Sequence, residues 1–178
     1  LLGKISDYFL INRFNVAKLK FNDKYPFLYQ ASARIFLDQA LSTSMDSLSN
    51  FNRKIVSKYK AGLALRYLKG YLGKEALNNS LQDLYKTNKL TPITTDKFQK
   101  ILQKNTNKEL DWFFGDFVTT NKKIDYKIDK ITKQGDSLKV TIKNKRNITT
   151  PAALYGLKNN NVVYRNWFSG IDSLQTFT

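Results

Sequence analysis

Tyr59 stands three residues before Gly62 in the run VSKYKAGLALRYLKGYLGKEAL, residues 56–77. In a helix that spacing puts both on one face, a turn apart. A phenol is a neutral hydrogen-bond donor that keeps its proton up to a pKa near ~10. The plain alternative is an aromatic packed on a core face. Gly62 and Gly70 raise a second question, because each costs a helix interior about 1 kcal/mol relative to Ala. Something close to the helix would explain them. Other residues able to do chemistry are sparse. Asp111 and Asp116 are five apart, a spacing that turns two helical carboxylates away from each other, so they read as surface charges. WFFGDF, residues 112–117, has the spacing of a helical core stripe more than of a recognition platform. There is no Gly-rich phosphate loop, metal-ligand cluster or nucleophile elbow. The sequons at Asn78 and Asn147 are short enough to arise by chance.

Composition narrows the chemistry further. The chain has 178 residues, no cysteine and no histidine. Disulfides, thiolate catalysis, Ser-His-Asp catalysis and His-ligated metal are therefore outside its own means. It is 42% hydrophobic and 13% aromatic, enough to build a core. The net charge of +16 invites a nucleic-acid reading. The excess is spread evenly, at +6, +5 and +5 over residues 1–60, 61–123 and 124–178, as expected of lysine-rich solvated faces. Nucleic acid is accordingly not expected as a partner. No signal-peptide pattern is present, and no apolar run approaches the ~20 residues of a membrane helix. The only methionine is Met45, and SLQTFT ends the chain like a strand, so a piece of a longer polypeptide is expected.

Periodicity divides the chain in two. A loose helical pattern covers residues 6–21. Pro26 suits a helix start, with Tyr29, Ala33, Phe36, Leu37 and Ala40 as the stripe that follows. STSMDSLSN reads as a loop. The glycine-bearing helix ends near Leu72, with Gly73 in a left-handed cap. Leu77, Leu81, Leu84 and Tyr85 make one side of the next helix. Thr94 or Thr95 caps a helix with Asp96 in its first turn, and Leu110, Phe113, Phe114 and Phe117 mark another ending near Thr119. From residue 124 the period becomes two. Leu138, Val140 and Ile142 alternate with lysines and threonine, and QGD, NITTP and NNN supply turns. The expected fold class is α+β: a helical domain over 1–123 of about six or seven helices, then part of an antiparallel β-sandwich over 124–178.

The block from Tyr59 to Asn121 resembles the C-terminal half of the catalytic domain of the gluzincin zinc aminopeptidases. The match lies in the order and spacing of Tyr59-x-x-Gly62, Leu72-Gly73, Thr94 to Phe98, and Asp111 to Phe114, with a β-sandwich following. The resemblance covers roughly residues 27–178 and implies a thermolysin-like helical fold. It implies that Tyr59 donates a hydrogen bond to the oxyanion formed during peptide hydrolysis. Gly62 would then clear space on the tyrosine face. It also implies zinc as cofactor of the full-length parent, with a peptide as substrate. The family's His-Glu-x-x-His helix, downstream Glu and Gly-x-Met-Glu-Asn segment are absent here. Zinc ligands and general base must therefore come from the remainder of the same polypeptide, and this chain alone binds no zinc and is inactive. A catalytically dead scaffold homologue is one alternative; a basic helical module for nucleic acid or anionic polymer is another.

Overall fold

The computed structural model describes residues 21–89, 91–168 and 170–178. The helical pattern expected over 6–20 lies outside them. The fold is α+β, with antiparallel sheets following helices. The described helices are α1 (Phe21–Arg34), α2 (Asn50–Lys54), α3 (Ala61–Leu72), α4 (Lys74–Thr87) and α5 (Thr95–Lys104), with π-helical segments at Ile55–Lys60 and Trp112–Val118. The strands are β1 (Tyr126–Gln134), β2 (Ser137–Asn144), β3 (Ala152–Lys158), β4 (Asn161–Phe168) and β5 (Leu174–Phe177).

Two expectations fail at α1. Pro26 lies inside the helix and not at its start. The helix also stops at Arg34 in a Schellman-type end: Leu37 N–H donates to Ser32 O (3.0 Å) and Phe36 N–H to Ala33 O (3.3 Å). Phe36 takes the left-handed position usually given to glycine, with φ 57°. Phe36 and Leu37 therefore leave the apolar stripe, and both are exposed.

The glycine-bearing helix is continuous from Asn50 to Leu72 but widens into a π-helix at Ile55–Lys60. Ser49 caps it by accepting from Asn52 N–H. Gly73 ends it with φ 95°. One row of this helix is buried from end to end: Asn52, Val56, Lys60, Ala64, Leu68 and Leu72 recur every four residues. Its lower half joins Leu77, Leu102, Leu110, Trp112, Phe113 and Phe114 in the main core. WFFGDF is thus a core stripe. In α4 the buried side is Leu77, Ser80 and Leu84. The expected Leu81 and Tyr85 are 41% and 70% exposed; Ser80 takes the buried place instead, its hydroxyl satisfied by donating to Ala76 O (2.7 Å). Thr94 caps α5 by accepting from Lys97 N–H.

The strands form a β1-β2-β5 sheet and a β3-β4 ribbon. A two-residue Gly135-Asp136 turn joins β1 to β2, with Gly135 at φ 60°. Asn159 and Asn160, both at positive φ, make the β3–β4 hairpin turn. Val140, Ile142 and Ile171 are buried, with Ala152 and Leu154 of the ribbon packed on them, so the two sheets share a core. Leu138, expected on that face, lies beyond its cover and is exposed.

Candidate functional site

Tyr59 is the last residue but one of the π-helical segment and is half-buried. No described atom lies within 4 Å of the position a Gly62 Cβ would take. Gly62 therefore clears no contact with a described residue. Gly70 does. A Cβ there would stand 3.1 Å from the Trp167 ring of β4, so the neighbour that requires glycine is the β-ribbon.

That contact is the centre of an aromatic ring of four. Tyr67 and Tyr71 of α3 alternate with Trp112 and Trp167, edge to face, with centroids 5.4–5.7 Å apart. Tyr67 hydroxyl donates to Pro151 O at the foot of β3, and burial pushes its phenol pKa up to about 12. Arg165 donates to Gly70 O (3.2 Å) and Lys108 to Tyr71 O, placing two cations on the carbonyl end of α3 where the helix dipole favours them.

Beside Tyr59, on the buried row, sits the feature that sequence reasoning missed. Lys60 is 1% exposed, and its ammonium reaches Asp38 Oδ2 at 3.2 Å and Gln39 O at 2.9 Å. Lys123 donates to the other Asp38 oxygen. Burial lowers the Lys60 pKa, against the pull of Asp38 in the opposite direction. Asn52, two rungs earlier, donates to Leu37 O and Gln39 Oε1. Together these bonds fix the 37–39 turn and the 120–123 linker to the back of the π-helical segment. A signal was present: a lysine at four-residue spacing between Val56 and Ala64 must be buried, and a buried lysine needs an acid.

Of the other residues considered, Asp111 is exposed and Asp116 pairs with Lys122 at 2.6 Å, so they do not converge. Among the described residues no group of three or more His, Cys, Asp or Glu could hold a metal ion. With no histidine or cysteine in the chain, its residues do not fit a zinc site. No described helix is long and apolar enough to cross a membrane. Compared with family models, curated proteins and solved structures, the chain matches none.

Proposed function

We propose that this chain is the C-terminal part of an aminopeptidase-like catalytic domain with the start of the following β-sandwich, and that Tyr59 is its one catalytic residue. In the complete protein Tyr59 donates a hydrogen bond to the oxyanion formed at the peptide carbonyl. Zinc, which would activate water and polarise that carbonyl, is held by the remainder of the polypeptide, as is the general base. The observation that carries the reading is the setting of Tyr59. It is half-buried near the end of a π-helical segment, a distortion frequent at functional sites, one turn from a Gly62 that no described atom approaches. Lys60, fixed from behind, leaves the tyrosine little freedom to rotate with the helix.

The deciding experiment is Tyr59→Phe in the complete protein. One oxyanion donor is worth about 3 kcal/mol, so kcat falls about a hundredfold while folding stays unchanged. Full activity in the variant rules out the catalytic role. The chain by itself turns over no aminoacyl substrate; zinc-dependent turnover by it alone rules out the division of labour.

A further inference from the structure

Two concavities meet where α3 faces the β-ribbon. One, of about 690 Å³, runs along the end of α3 past Lys108 and Arg165; the other, of about 930 Å³, opens between α1, α3 and β3. Arg66, Gly70 and Trp167 line both, so they form one groove with Arg66 at its middle. Its lining is strongly one-signed. Arg34, Arg66, Lys69 and Lys74 make no ion pair with a described residue. The single carboxylate of the lining, Asp125, lies 3.9 Å from Lys145 and 3.8 Å from Arg146 and is already shared. Like charges gathered around a concavity raise the local concentration of anions and are relieved by binding one.

Trp167 lines both halves. The aromatic residues argue against nucleic acid. Single strands bind aromatics through exposed ring faces, whereas here the four rings pack edge to face on one another and Lys108 stands 4.6 Å over Tyr71. Size fits a peptide. From Arg66 to the end of α3 at Leu72 is about 9 Å at 1.5 Å per helical residue, the reach of about three extended residues.

We propose that this groove binds an acidic peptide segment in extended form, with Arg66 as the central carboxylate-binding residue and Trp167 against the peptide chain. The proposal does not rest on the role given to Tyr59, because it uses only side chains of this chain and needs no metal.

The test is a titration with an acetylated, amidated hexapeptide alternating Glu and Leu, against the same peptide with Gln for Glu. The only two tryptophans, Trp112 and Trp167, both belong to the aromatic cluster, so their fluorescence reports binding directly. The Glu peptide should shift it saturably and the Gln peptide should not. Arg66 is exposed, so Arg66→Gln should fold normally and weaken binding about two- to fivefold, the scale of one exposed ion pair. Lys86→Gln, away from the groove, should leave it unchanged. Equal binding of the Gln peptide, or unaltered affinity in Arg66→Gln, overturns the proposal. So does a DNA duplex that binds more tightly than the Glu peptide and competes with it.

Discussion

Gly62 and Gly70 lie two turns apart in one helix, and the same substitution at each separates two effects. Replacing glycine by alanine in a helix interior gains about 1 kcal/mol from the backbone alone. At position 62 the new methyl meets no described atom, so Gly62→Ala should stabilise by about 1 kcal/mol. At position 70 it would stand 3.1 Å from a Trp167 ring held edge-on by Tyr67 and Tyr71, where neither ring can swing aside without opening the cluster. Overpacking of this kind costs about 1–3 kcal/mol. Gly70→Ala should therefore range from neutral to about 2 kcal/mol destabilising. The difference between the variants cancels helix propensity and leaves the steric term, about 1–3 kcal/mol. Urea unfolding of both at one pH measures it, and thermal midpoints should separate by about 2–4 °C per kcal/mol for a chain of this size. Equal stabilisation by the two substitutions would refute the docking of the β-ribbon on α3.

Three further outcomes follow from the same geometry. Tyr67→Phe removes the bond to Pro151 O and should cost about 1–3 kcal/mol at pH 7, read by urea unfolding. Because the folded phenol titrates near 12 and the unfolded one near ~10, wild type loses stability relative to the variant as pH rises from 10 towards 12, and paired unfolding curves across that window check the sign. Lys60→Met should destabilise by about 2–4 kcal/mol, less than the loss of an unrelieved buried pair because Lys123 stays on Asp38; a change under ~1 kcal/mol would show the triad to be open to water. Phe36→Gly removes an exposed side chain from a left-handed position and should stabilise by about 0.5–1 kcal/mol, seen as a higher urea midpoint with an unchanged slope.

Much of the architecture was legible because it rests on local rules. The Thr94 cap, the Gly73 helix end, the Asn159-Asn160 turn and the change of period near residue 124 each follow from the preferences of a few neighbouring residues. What was not legible depends on distant partners. Phe36 looks like a stripe residue until the helix is seen to stop two residues earlier. Leu81 and Tyr85 repeat with helical spacing, but the buried side of α4 runs through Leu77, Ser80 and Leu84. Lys60 was hidden by its type, since lysine reads as surface until its four-residue row is followed from Asn52 to Leu72. The groove around Arg66 joins residues from α1, α3 and β4, and no stretch of sequence contains it.

The four-ring cluster also has a kinetic side. Tyr67 and Tyr71 can meet Trp112 once the helices have formed, since those contacts span about half as much chain as the step to Trp167. Closing the ring requires a residue a hundred positions from Tyr67, delivered on a hairpin that must already have paired Ala153 with Trp167. Contacts of such long sequence separation form late, after loop-closure entropy has been met elsewhere. The near-ultraviolet dichroism of the paired indoles should therefore appear after the helical signal during refolding. Trp167 would act as the last side chain home, joining two halves that had each acquired their shape.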